Sequence, residues 1–314
     1  MKKRRLKKSF YILIGLIIFI IIASIGCFKY IKYINSYEYK LGKIGYDDSE
    51  IKIILKLKDK EIDDVLTKKY SKSLVSFVKQ KYFLYKNLDR YLAYYKENKN
   101  DKMSHVVSIV NVGADYEWYD EDAIKETDTS LGNLMLINKF YHLDKSYEAT
   151  DIINIGTTYA FADNKANKEV VDAFIEMYKA AKLKGLNLIV NASYRSYEDQ
   201  DSIWNRYATK NGEKWADLYA ARPGYSEHQT GLALDIVTYN STMDNFDDSN
   251  ESKWLKENAY KYGFILRYPK GKEDITGYDY EPWHYRYVGK DMALKIHKEN
   301  ITYDEYYAYY IEKS

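Results

Sequence analysis

Two histidines and two carboxylates near the C-terminal end are spaced as a metal site with a base beside it. The run Ser226-Glu227-His228-Gln229-Thr230-Gly231-Leu232-Ala233-Leu234-Asp235 holds one His and a carboxylate seven residues later. Some fifty residues on, Glu281-Pro282-Trp283-His284 holds the second His, with a carboxylate three residues before it. Two His and one carboxylate leave the fourth tetrahedral position of zinc open to water, which separates a catalytic site from a closed structural one. Zinc lowers the pKa of that water toward ~7, and a further carboxylate can take its proton. The expected roles are His228, Asp235 and His284 as ligands of one Zn2+, with Glu281 as base and then acid.

Such a site needs a loop and two strands to converge. Residues 232–237 read as a strand. Alternation sets Leu232, Leu234 and Ile236 on one face and Ala233, Asp235 and Val237 on the other. His228 lies just before this strand, and Gly231 permits a sharp turn between them. Pro282 disfavours helical geometry at Glu281, so a two-His helical zinc signature is excluded and residues 284–288 read as a strand. All three prolines, Pro223, Pro269 and Pro282, fall around these segments. Upstream, residues 106–112 and 186–191 read as strands, and 167–184 and 198–209 as helices. Residues 290–299 and 303–312 end the chain as helices. Strands and helices mix without regular alternation, which favours an α+β fold over a doubly wound one. His105, His142 and His297 read as core histidines.

The run Arg222-Pro223-Gly224-Tyr225-Ser226-Glu227-His228 through Asp235, together with Glu281-Pro282-Trp283-His284, resembles the VanY-type D-alanyl-D-alanine carboxypeptidases. Ser193-Tyr194-Arg195-Ser196-Tyr197 followed by Gln200 matches as well. These zinc peptidases share a fold with the amino-terminal Hedgehog domain, and the resemblance covers roughly residues 104–300. It implies a small antiparallel sheet with flanking helices, the sheet flooring the site. It also implies hydrolysis of the C-terminal D-Ala of peptidoglycan stem peptides. By position, His228, Asp235 and His284 hold zinc and Glu281 is the base. Arg195 stabilises the oxyanion or grips substrate, and Ser226 and Gln200 contact the terminal residue. Guanidinium suits an oxyanion or a free carboxylate because it forms paired, charge-assisted bonds, so Arg195 and Arg222 are the two candidates. Tyr194 and Trp283 are candidate pocket walls. L,D-carboxypeptidase or endopeptidase activity on the same fold is the nearer alternative. A non-catalytic cell-wall binding or sensor protein is the alternative of another class.

The remaining chain places this chemistry in the cell. Lys2, Lys3, Arg4, Arg5, Lys7 and Lys8 more than account for the formal charge of +2, so the body is mildly acidic. Nucleic-acid binders need a basic face, so no nucleic-acid partner is expected. Residues 10–28 are apolar and uncharged, and at 1.5 Å per residue they span roughly 28 Å, close to a ~30 Å hydrocarbon core. The basic run keeps the N-terminus inside and the body outside. A signal anchor is expected rather than a cleaved signal peptide, because the apolar run is long and no small-residue cleavage site follows clearly. Cys27 is the only cysteine. It reads as an apolar thiol in the membrane helix rather than a lipidation site.

The expected organisation is a basic cytoplasmic tail (1–9), a transmembrane anchor (10–28), a stalk (29–45), a small helical region (46–102) and a zinc carboxypeptidase domain (103–314). The protein is expected to be a monomer at the cell membrane, its catalytic domain outside. No P-loop, dinucleotide fingerprint or G-x-S-x-G elbow occurs. Ser49 to Lys52 and Ser76 to Lys79 have the S-x-x-K spacing, but no K-T-G accompanies them.

Overall fold

The computed structural model describes residues 8–161, 163–241 and 243–312. Most of the basic tail lies outside the described residues. The chain divides into two compact units, 1–107 and 108–314.

The first unit is helical. Helix α1 (Lys8–Ile34) holds the apolar run and continues past residue 28. Its segment Phe10–Ile34 is long and apolar enough to cross a membrane. Cys27 is exposed on it. Within the expected stalk (29–45), α1 runs on to Ile34 and a second helix follows. In α2 (Tyr37–Ile44), Ser36 caps the first turn, Gly45 closes the last, and Leu41 is fully buried. Then come α3 (Asp48–Ile54), α4 (Asp59–Val65), α5 (Lys72–Val78) and α6 (Leu88–Glu97). Asp47 forms a capping box with Glu50, as a Ser/Asp-rich start followed by Glu should. Leu41, Ile51, Ile54, Ile62, Val65, Leu74 and Leu88 share one small core. Residues 106–112 are not a strand. They belong to α7 (Met103–Val112), and the unit boundary falls inside it. Val106, Val107, Ile109 and Val110 are buried, a spacing that fits one helical face as well as a buried strand.

The second unit is α+β. Two small ladders, β1 (Lys125–Glu126) with β2 (Tyr141–His142) and β3 (Ile152–Asn154) with β4 (Lys165–Asn167), precede the main sheet. That sheet is antiparallel. Its order is β5 (Ile189–Ala192), β6 (Ala233–Val237), β8 (His284–Tyr287), β7 (Phe264–Leu266). Helix α8 (Lys168–Lys182) contributes Val170, Val171, Phe174 and Met177 to the core shared with Ile189, Leu234, Ile236 and Phe264. Helices α9 (Tyr197–Asn211) and α10 (Glu213–Tyr219) form a hairpin between β5 and β6. Helix α11 (Asn250–Asn258) precedes β7, and the single turn α12 (Glu273–Thr276) follows it. After β8 come α13 (Lys290–Glu299) and the short α14 (Tyr303–Tyr306), which runs on as a π-helix through Ile311.

Candidate active site

The pairing of β6 with β8 brings the site together. Asp235 stands directly opposite His284 in this antiparallel register. Opposed residues project to the same face, so the carboxylate and the imidazole meet without a long side chain. His228 arrives from the 3-10 turn Glu227–Thr230, which ends at Gly231 with φ 71°. A Cβ at Gly231 would lie 2.5 Å from Ile152 Cδ1 and 3.2 Å from Asn167 N, so this turn requires glycine.

The hydrogen bonds of the two rings select their free nitrogens. His228 Nδ1 lies 2.7 Å from the Ser193 carbonyl. A carbonyl only accepts, so Nδ1 carries the proton and Nε2 presents a lone pair. That Nε2 is 3.5 Å from Asp235 Oδ1. His284 Nε2 faces the Glu227 carboxylate at 3.4 Å, leaving Nδ1 3.3 Å from Asp235 Oδ1 and 3.3 Å from Glu281 Oε2. The three ligand atoms of His228, Asp235 and His284 lie within 4.8 Å of one another, and all three residues are buried. Asp235 Oδ1 is buried with no hydrogen-bond partner. Leaving such an oxygen unsatisfied costs ~1–3 kcal/mol or more when charged. The donor set therefore fits a divalent cation.

The two imidazoles differ electrostatically. Burial and the nearby Arg195 guanidinium push His228 down to about 4. Burial opposes charge on His284 too, but the surrounding carboxylates of Asp235, Glu227 and Glu281 raise it well above the ordinary imidazole value. Burial would raise Asp235, yet the two imidazoles hold it well below the carboxylate range.

A cleft of about 690 Å³ opens over this floor. Arg195, Gln200, Ser226, Glu281 and Trp283 line it together with His228, Asp235 and His284. Arg195 donates to Gln200 Oε1 at 3.0 Å and reaches Asp235 Oδ2 at 3.5 Å. Gln200 is buried and donates to the Ala221 carbonyl at 2.8 Å, which fixes its own amide.

Two expected substrate contacts are not among the lining residues. Arg222 gives both Nε and Nη2 to Asp217, at 3.0 and 2.8 Å, and its guanidinium lies 4.3 Å from the Tyr119 ring centre. That bidentate pair uses the fork a substrate carboxylate would need. Tyr194 lines a separate groove with Lys145, Tyr147 and Tyr197. The histidines expected in the core are not buried there: His142 is partly buried beside the Tyr225 ring, and His297 is exposed and stacks on Tyr260.

Sequence reasoning missed the buried charges behind His284. Glu227 Oε1 accepts from Arg267 Nε at 2.7 Å and from Arg286 Nη1 at 2.9 Å. Arg267 also donates to Asp304 at 2.5 and 3.0 Å, and Asn138 donates to Asp304 Oδ1 at 2.8 Å. Arg267 and Arg286 are fully buried. Burial opposes the charge on Glu227, but the two guanidiniums hold it well below the usual carboxylate range. It thus remains an acceptor and orients the His284 ring, as carboxylates behind metal-ligating histidines do. One signal was available: Glu227 adjoins His228, and Arg286 lies two residues beyond His284 on the same strand face.

Residues 163–290 match the model of the VanY family, D-alanyl-D-alanine carboxypeptidase. A D-alanyl-D-alanine carboxypeptidase of Enterococcus faecium is 35% identical over 202 residues, 62% of this chain and 63% of that protein. VanXYC of Enterococcus gallinarum, a bifunctional D-Ala-D-Ala dipeptidase and D-Ala-D-Ala carboxypeptidase, is 34% identical over 57% of this chain and 95% of its own. The solved structure of the LD-carboxypeptidase LdcB is 41% identical, with a TM-score of 0.57, over 60% of this chain and 91% of that chain. The chain spans between 51 and 66% of the length of three of the curated relatives it matches. With three converging donors, an open cleft and a relative matched over nearly its whole length, the chain belongs to the VanY family of D-alanyl-D-alanine carboxypeptidases.

Proposed function

We propose that this protein is a zinc D,D-carboxypeptidase that removes the C-terminal D-Ala of peptidoglycan stem peptides. The observation that carries this reading is the buried His228–Asp235–His284 donor set at the floor of a cleft, with Glu281 3.3 Å from His284. His228, Asp235 and His284 would hold the ion. When bound, zinc supplies a Lewis acid that polarises the scissile carbonyl and makes water acidic. Glu281 takes a proton from the attacking water as its oxygen bonds to the carbonyl carbon. Arg195 stands where it can offset negative charge on the carbonyl oxygen. As the C–N bond breaks, Glu281 passes the proton to the leaving amine. Gln200 and Ser226 fit contacts to the departing residue.

We further propose that α1 is an uncleaved anchor and that residues 103–314 form the catalytic domain outside the membrane. The apolar segment Phe10–Ile34 and the basic residues before it support this. A second reading is an L,D-carboxypeptidase. The 41% identity to the LD-carboxypeptidase LdcB over 91% of that chain favours it. Mass spectrometry of pentapeptide and tetrapeptide stems after incubation separates the two. Loss of one alanine from the pentapeptide is expected, and EDTA abolishes it. Cleavage of the tetrapeptide alone makes the enzyme an L,D-carboxypeptidase.

A further inference from the structure

The cleft does not end at the metal floor but continues along the α9–α10 hairpin. The chain turns back at Gly212, whose φ of 89° favours glycine. Gln200, Ile203 and Tyr207 lie at i, i+3 and i+7 of α9, and all three line the cleft. A rise of ~1.5 Å per residue sets Ile203 and Tyr207 roughly 4.5 and 10.5 Å beyond Gln200. Because Gln200 accepts from Arg195, this wall starts at the reaction centre. Helix α10 adds Trp215, Leu218 and Tyr219, which are 37, 52 and 53% exposed. Among the described residues of the second unit nine large apolar side chains are exposed, and three of them fall on this one seven-residue helix. The Trp215 and Tyr219 ring centres are 4.3 Å apart, and Tyr207 lies 5.8 Å from Trp215.

Arg206 adds a charge to this shelf. Its guanidinium lies 5.6 Å from the Tyr207 ring centre, lines the cleft and makes no ion pair among the described residues. The hairpin is pinned from behind. Asp217 accepts from Trp204 Nε1 at 3.0 Å and from Arg222, and its carbonyl accepts from Lys139 Nζ at 2.8 Å. Arg222 thus acts on the shelf rather than on the metal site.

Scattered exposed apolar residues need no explanation, but a contiguous aromatic shelf continuous with a cleft does. Its ~10 Å run matches about three residues of extended peptide at ~3.3 Å each. We propose that this shelf is a subsite for the part of the stem peptide remote from the scissile bond, with Arg206 receiving a carboxylate of that peptide. The preferred substrate is then a long, acidic stem peptide rather than a short alanyl one. The proposal rests on the peptidase reading above.

The test uses the full-length zinc-loaded protein in detergent micelles. Turnover of diacetyl-Lys-D-Ala-D-Ala is compared with that of the pentapeptide L-Ala-γ-D-Glu-L-Lys-D-Ala-D-Ala. In Trp215→Ala/Tyr219→Ala, the pentapeptide's kcat/KM advantage over the tripeptide falls by about tenfold, mainly through KM. Arg206→Gln gives a similar fall that disappears when γ-D-Glu is replaced by D-isoglutamine. Equal losses for both peptides, or none, overturn the proposal. So does a loss confined to a disaccharide-linked pentapeptide, which would assign the shelf to sugar. Calorimetric binding of the pentapeptide to Glu281→Gln protein reads the shelf without turnover. Weaker binding on adding Trp215→Ala keeps the subsite even where the wild type proves inactive, while unchanged binding rejects it.

Discussion

Glu227 and Glu281 both approach His284, at 3.4 and 3.3 Å, yet their settings differ. Glu227 is buried between two guanidiniums and stays an anion that only accepts. Glu281 is 24% exposed in its side chain and meets the cleft. One carboxylate suits orientation and the other suits proton transfer. Glu281→Gln should therefore lower kcat by ~10²–10⁴ while elemental analysis still finds zinc. Turnover within twofold of wild type would remove it as the base. Glu227→Ala leaves Arg267 and Arg286 without their shared acceptor. Breaking a buried pair costs roughly 3–5 kcal/mol, so urea denaturation should show a loss of that order. A loss under 1 kcal/mol would mean that Asp304 and the backbone carbonyls already balance both guanidiniums.

At the scale of elements, the β6–β8 register and the turn before β6 decide the site. A slip of one residue would send Asp235 to the opposite face of the sheet. Gly231 sets where β6 begins, and its surroundings leave no room for a side chain. Gly231→Ala meets Ile152 and adopts a strained backbone angle. We expect a destabilisation of at least ~1–3 kcal/mol by thermal unfolding, with weaker zinc retention because the His228 turn must shift. Unaltered melting and zinc content would show that Ile152 and the β3–β4 ladder yield freely. The C-terminal helices also take part. Asp304 on α14 reaches His284 through Arg267 and Glu227, although it lies beyond the family-matched segment.

At the scale of the whole molecule, Lys139 is the clearest titrating reporter. It is buried among the Tyr278, Tyr119 and Trp118 rings, with one hydrogen bond to the Asp217 carbonyl. Burial lowers it from 10.5 to about 8. Between those values the folded chain sheds a proton that the unfolded chain keeps, so its contribution to stability rises with pH. Relative to Lys139→Met, wild type should gain up to about 3 kcal/mol from pH 8 to 10.5 in urea titrations. A flat difference would mean that the ammonium stays charged in the folded protein. Much of the molecule was readable beforehand. Zinc chemistry demands particular residue types, so His228, Asp235, His284 and Glu281 stood out by type and spacing. Amphipathic periodicity located α8, residues 198–209 read as the helix that became α9, and the expected strands 232–237 and 284–288 form over 233–237 and 284–287. Residues 106–112 did not, because a short β-branched run satisfies helix and strand spacing alike. Residue identity by itself determined which donors exist. Only the tertiary structure decided that Glu227, Arg267 and Asp304, tens of residues apart, share one buried charge network, and that Arg222 faces Asp217. Such partners are chosen by sheet pairing and burial, and no local pattern encodes them.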